Sequence, residues 1–189
     1  MGVNRSKPAG PQMRVKILLL ICLSIILCSC TFHEQYPPDW APLVKPSKDC
    51  WTITGMYNDD SSKKQHPLSY VLTGTRVKSP DLNKSNYVQI NKGDNDVLIV
   101  TVWNENTRLA EKIYKKDDYT CSDEGIEISK GVEVIPEVIL GLGRDKYTLM
   151  RAADGALVVM YGSSGFGLFG ALIPVAVDEI HYYKYSQKK

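Results

Sequence analysis

From Cys50 onward the chain alternates apolar and polar positions with period two, in short runs bounded by turn residues. The clearest runs are residues 51–57, 68–76, 86–91, 97–103, 109–115, 125–129, 147–152, 157–161 and 179–185. Turn chemistry separates them: Asn58-Asp59-Asp60-Ser61, Ser79-Pro80-Asp81, Lys92-Gly93-Asp94-Asn95 and Ala153-Asp154-Gly155, the last being the strongest hairpin signal. Eleven tyrosines and many Val, Ile and Thr residues reinforce the strand reading. Residues 107–116 are two-sided: Leu109 and Ile113 lie four apart, as in a helix, yet Leu109, Glu111, Ile113 and Lys115 also keep a strand rhythm. The pattern predicts an all-β fold, an antiparallel meander of about eight strands built as an up-and-down barrel or a curved sandwich.

Upstream the pattern changes. Arg14 and Lys16 form a basic head, residues 17–27 are an apolar run, and small residues follow. That is the layout of a secretory signal, and the run falls short of the roughly 20 residues that cross a bilayer. Its end, Leu27-Cys28-Ser29-Cys30, resembles the lipobox of bacterial lipoproteins. Cys28 departs from the usual Ala or Ser; taking it as the acceptor would put bulky Leu27 at the cleavage position. The resemblance therefore implies cleavage between Ser29 and Cys30, a diacylglyceryl thioether on Cys30, and an acylated new amine. Each buried methylene is worth about 0.8 kcal/mol, so several chains hold a protein firmly on a bilayer. Thr31 follows the cysteine where inner-membrane lipoproteins often carry Asp. The resemblance thus implies the periplasmic face of the outer membrane, with the lipid bilayer as first partner. Translation is expected to start at Met13, since residues 1–12 precede a complete signal. The expected domains are residues 1–29 as signal peptide, 30–49 as lipidated cysteine plus Pro-rich linker, and 50–189 as the β-domain.

This reading alters the charge. Arg5, Lys7, Arg14 and Lys16 leave with the signal, so 23 basic residues become 19 against 21 acidic, near −2. A slightly acidic chain gives no support to a nucleic-acid partner. The five cysteines reduce to two, because Cys22 and Cys28 are removed and Cys30 is acylated. Cys50 and Cys121, in an oxidising compartment, are expected to pair; the alternative is two separate buried thiols. Neither belongs to a C-x-x-C pair, and His33, His66 and His181 are far apart in sequence, so no metal site or cofactor is expected. In the linker, Pro37, Pro38, Pro42 and Pro46 favour extended geometry reaching up to roughly 55 Å. Tyr36 and Trp40 could rest at the membrane interface or pack back on the domain.

Candidate chemistry is sparse. Gly165-Phe166-Gly167-Leu168-Phe169-Gly170 matches G-x-G-x-x-G, but a dinucleotide site needs a helix to open next, and Ala171-Leu172-Ile173 runs into Pro174. Residues 162–177 are uncharged and read either as a glycine-bent loop feeding a buried strand or as a mobile apolar loop. Such a loop, through Phe166, Leu168, Phe169 and Leu172, would dock a partner or dip into lipid. Gly162-Ser163-Ser164-Gly165 is not a nucleophile elbow, because Phe166 stands where the second glycine is required. Asp117, Asp118, Asp123 and Glu124 read as solvated turns around Cys121, and no acid pair stands out as a hydrolase dyad. The expectation is a non-enzymatic lipoprotein, a scaffold or interaction module with an envelope-protein partner. The alternative is a binder of a small apolar ligand, or a protein similar to the C-type lysozyme inhibitors, lipid-anchored β-barrels with one disulfide; Tyr119-Thr120-Cys121 is the matching fragment. Trp51 with Thr54-Gly55-Met56-Tyr57 resembles the opening strand of small lipoprotein domains and, distantly, of lipocalins, which implies that Trp51 plugs a barrel base.

Overall fold

The computed structural model describes residues 29–46, 50–60, 66–73, 87–135, 139–169 and 173–188. Its strands are β1 (Ser29–His33), β2 (Leu43–Val44), β3 (Gly55–Asn58), β4 (Tyr87–Lys92), β5 (Leu98–Asn104), β6 (Thr107–Tyr114), β7 (Thr120–Cys121), β8 (Ile126–Ile135), β9 (Ile139–Ala152), β10 (Leu157–Phe169) and β11 (Ile173–Tyr185). Among the described residues one α-helix, α1 (Leu68–Thr73), and short 3-10 turns at Cys50–Ile53 and Asp94–Asp96 accompany them. The signal segment before Ser29, the turn at residues 79–81 and Leu172 lie outside the described residues.

The strands form two sheets. The longer has seven strands in the order β1-β11-β10-β9-β8-β7, with β2 beside β9. The shorter is the four-stranded antiparallel ladder β3-β4-β5-β6. Their facing sides share one core containing Val88, Ile90, Leu98, Val100 and Val102 from the short sheet and Ile126, Leu149, Leu157, Val159 and Tyr185 from the long one. Ile53, Leu68 and Leu72 fill it from the 3-10 turn and from α1. Burial of these side chains is the main stabilising term, at about 1.5–3 kcal/mol for each large one. Phenols at the margin reach backbone carbonyls: Tyr57 donates to Ile53 O at 2.7 Å, Tyr185 to His66 O at 2.8 Å, and Tyr114 to Leu72 O.

The β-rich class and the two-sheet architecture agree with expectation, whereas a closed barrel does not form. On one side the chain after β11 does cross between the sheets, pairing with β3 through Asn58 N–H to Ser186 O at 2.9 Å and Lys188 N–H to Met56 O at 2.8 Å. On the other side β6 and β8 are not paired, and α1 and a cleft occupy the seam. The meander is not wholly antiparallel either, because β1 runs parallel to β11.

Two segments differ from their sequence reading for identifiable reasons, and a third, read both ways, resolves to its strand. Residues 68–73 form a helix because Asp59, ten positions upstream, accepts from Ser69 N–H at 2.6 Å and from the Ser69 hydroxyl at 2.9 Å. This caps the first turn from outside the local sequence. Residues 51–53 belong to a 3-10 turn, and β3 starts only at Gly55, whose φ of +155° suits glycine. Residues 107–114 take the strand alternative, as the edge of the short sheet. Trp51 plugs no barrel; half-buried, it meets Tyr119 edge-on with centroids 5.8 Å apart.

The Pro-rich segment does not stand off as a free spacer. β1 pairs with β11 and β2 with β9, while Tyr36 and Trp40 pack on Met150, Ala152, Ala156 and Val158, on the side of the long sheet away from the main core. Tyr36 meets Trp40 at 5.8 Å and Tyr182 at 5.6 Å, both edge-on. A ready apolar surface wins over extension into solvent. Pack-back is the arrangement observed.

Candidate functional site at the far end of the long sheet

β9, β10 and β11 run well past the short sheet. β10 spans 13 residues, and its far half, from Gly162, pairs with β9 and β11 all the way to Phe169. Where it is described, at residues 162–169 and 173–177, the glycine-rich stretch is therefore strand and not loop. Strict alternation explains it: Gly165 and Gly167 point to one face, Phe166 and Leu168 to the other. A Cβ at Gly165 would lie 3.3 Å from Leu142 O, so the close approach of β9 favours glycine there. Pro174 lies in β11 two residues before Ala176, where the described pairing with β1 begins.

The far end exposes large apolar side chains: Phe166 is 62% accessible, Leu142 59% and Leu168 38%. Leu142, Phe166, Val175 and Val177 line an apolar recess of about 210 Å³. Toward the core the same sheet becomes a polar belt. His33 contacts Asp178 at 2.8 Å, Lys146 pairs with Glu127 at 2.7 Å, and Arg144 donates to Ser129 Oγ at 3.2 Å.

The sequence-predicted residues converge on this end. Opposed across the ladder, Ser29 shares a rung with Ala176, Phe166 and Leu142, and Cys30 shares the next with Val177, Gly165 and Gly143. The rung after that carries Thr31, Asp178, Ser164 and Arg144. Cys30 thus sits, in backbone register, at the border between apolar end and charged belt. Phe169 is the last residue of β10, opposite Ile139 and Ile173. The register of β1 was not visible in sequence, since it depends on pairing across some 145 residues.

The other predicted pair lies at the opposite end. Cys50 and Cys121 are placed for a disulfide with Cα atoms 5.8 Å apart, joining the 3-10 turn to the edge strand β7. Beside them the open seam holds a cleft of about 710 Å³ lined by Lys112, Tyr114, Asp118, Glu127, Lys130 and Tyr147 among others. Both charge signs are present, and Lys130 Nζ lies 4.8 Å from the Tyr147 ring centroid. Burial pushes the Tyr114 phenol up to about 12 and raises Tyr147 further. The cleft is open and polar, unlike the enclosed apolar cavity a carrier requires. Of the acidic cluster, Asp118 accepts from Lys115 N–H at 2.8 Å and closes a turn. Among the described residues no group of His, Cys, Asp and Glu could hold a metal ion. His181 is a strand residue beside Phe32 and Tyr161, with Glu34 and Glu179 at 3.7 and 3.6 Å. His66 packs on Tyr183 at 5.0 Å, and burial lowers its pKa.

No family model, curated protein or solved structure matches the chain.

Proposed function

We propose that the protein is an outer-membrane lipoprotein, lipidated at Cys30, whose β-domain serves in the periplasm as a non-enzymatic interaction module. The observation that carries this reading is Leu27-Cys28-Ser29-Cys30 behind an apolar run with Arg14 and Lys16 at its head. A cysteine pair at disulfide distance supports it, because such bonds persist in oxidising compartments. The surface offered to an envelope partner is the open seam, whose tyrosines are a residue type enriched at protein interfaces and whose charges of both signs would orient a complementary partner.

Metabolic labelling with a clickable fatty acid tests the anchor: the wild type takes up label and a Cys30→Ser variant does not. Label on the variant, or none on the wild type, overturns the reading. A photo-crosslinking residue in place of the exposed Lys112 tests the module, with one reproducible envelope adduct expected. Absence of any adduct at Lys112 and at Lys130 removes the seam as the contact.

A further inference from the structure

The structure carries a second membrane contact: we infer that the far hairpin of β10 and β11 dips into the bilayer surface beside the acylated Cys30, an inference that rests on the lipoprotein reading. The occupant is a lipid surface because four independent features end at one level. Phe166, Leu168 and Leu142 are exposed apolar side chains on the face that alternation assigns them. Residues 162–177 carry no charge in sequence, whereas the connection between β8 and β9, which precedes the Ile139–Phe169 rung, contains Glu137, so the sheet leans into lipid on its β10–β11 side and away from β8. On the lipoprotein reading the mature chain begins at Cys30, one rung from Phe166, so its acyl chains start beside the exposed apolar side chains. The charges begin on the rung of Cys30 with Glu133 at the β8 side of the sheet; one rung further come Arg144 and Asp178, followed by Lys146 and His33.

The dimensions agree. From the rung of Phe166 to that of Phe169 is three residues, about 10 Å at roughly 3.3 Å per residue, which matches the 5–10 Å depth of interfacial apolar faces. Cys30 then lies at headgroup level, where acyl chains on its sulfur and amine enter the same leaflet as Phe166 and Leu168. Arg144 and Lys146 stand in the layer of lipid phosphates. The sheet itself becomes the spacer that the Pro-rich segment is not: from Phe166 back to Val159, a fully buried core residue, the strand covers about 23 Å. The domain would stand upright with its core clear of the membrane, instead of swinging on a flexible tether.

The test uses the mature, acylated protein in vesicles of phosphatidylethanolamine and phosphatidylglycerol containing nitroxide-labelled lipid. With Cys50 and Cys121 bonded and Cys30 acylated, a cysteine placed by Leu168→Cys is the one thiol open to an environment-sensitive fluorophore. Ser164→Cys, on the same face in the polar belt, and Lys112→Cys, on the short sheet, are the comparisons. Quenching should fall in the order 168, 164, 112, with at least about a twofold difference between the extremes. Equal, water-like emission at all three positions overturns the inference. Disulfide-linked dimers of the Leu168→Cys chain with no lipid quenching also overturn it, making the end a contact between copies. The mass of the peptide bearing Cys30 reads acylation separately. An acylated chain with an unquenched probe refutes the hairpin contact alone, and an unacylated chain with a quenched probe refutes only the lipoprotein reading.

Discussion

The near and far halves of β9, β10 and β11 are one continuous ladder with two different compositions. In the near half, positions facing the short sheet are large: Leu149, Leu157, Val159, Tyr183 and Tyr185, each buried. The other face is covered too, by Tyr36 and Trp40 of the N-terminal segment on Met150 and Val158. In the far half, the continuation of the inward face is Gly143, Gly165, Val175 and Val177, which belong to neither buried cluster, and the opposite face bears exposed Leu142, Phe166 and Leu168. Ladder hydrogen bonds are the same in both. What differs is whether another layer excludes water, and residue size follows that cover. A strand needs its neighbours to exist, but it needs a second layer to be worth filling with bulky side chains.

The largest consequence is alkaline instability that arises from the near half and the short sheet packed on it, and not from the far half. Burial holds Tyr114 at about 12 and raises Tyr147 and Tyr185 as well, while an unfolded phenol ionises near 10. Between those values the folded chain keeps protons that the unfolded chain releases, so stability is intact below pH 10 and is lost as pH rises through the folded values. Each buried phenol contributes about 1.4 kcal/mol per pH unit, roughly 4 kcal/mol for the three at pH 11. Unfolding in guanidinium followed across pH 8–11, beside phenolate absorbance, measures it. A midpoint independent of pH over that range would mean the phenols are not buried as described.

Core truncation sharpens the same contrast. Leu149→Ala removes a fully buried side chain between the sheets and should cost about 2–5 kcal/mol, read as a lowered denaturant midpoint at unchanged slope. Next comes the bridge. Cys50 and Cys121 are 71 residues apart, and replacing both by Ser should cost about 2–4 kcal/mol. Hydrogen exchange should quicken around the 3-10 turn and β7 and remain unchanged from Gly162 to Phe169. Equal quickening in both regions would show that the halves unfold as one unit.

Much of the near half was readable in sequence because its period-two runs are bounded by genuine turns, as at Asp154-Gly155. The far half was not. Glycine at 162, 165 and 167 and proline at 174 are turn signals one residue at a time, and they act as strand residues only when flanking strands supply the ladder. The helix α1 escaped for a similar reason: its cap, Asp59, sits across a gap in sequence. Composition alone marks the apolar stretch at 162–177 as a contact candidate. Its place beside Cys30 depends on a parallel pairing between the two ends of the chain, which no local pattern announces.

The smallest effect belongs to the far half, and it is the one that separates the two regions most directly. Phe166 is large and aromatic, so composition alone would assign it a core residue's cost on truncation. Its side chain is 62% accessible, however, and replacing it loses little burial. Phe166→Ser should therefore shift stability by no more than about 0.5 kcal/mol, as surface substitutions do, while reducing exposed apolar area and any affinity for lipid. The same substitution at Tyr185, equally aromatic and fully buried on the neighbouring strand, should destabilise by about 3–5 kcal/mol. A large loss at Phe166 in the lipid-free protein would mean that something covers the far end in solution, and the contrast between the halves would fail.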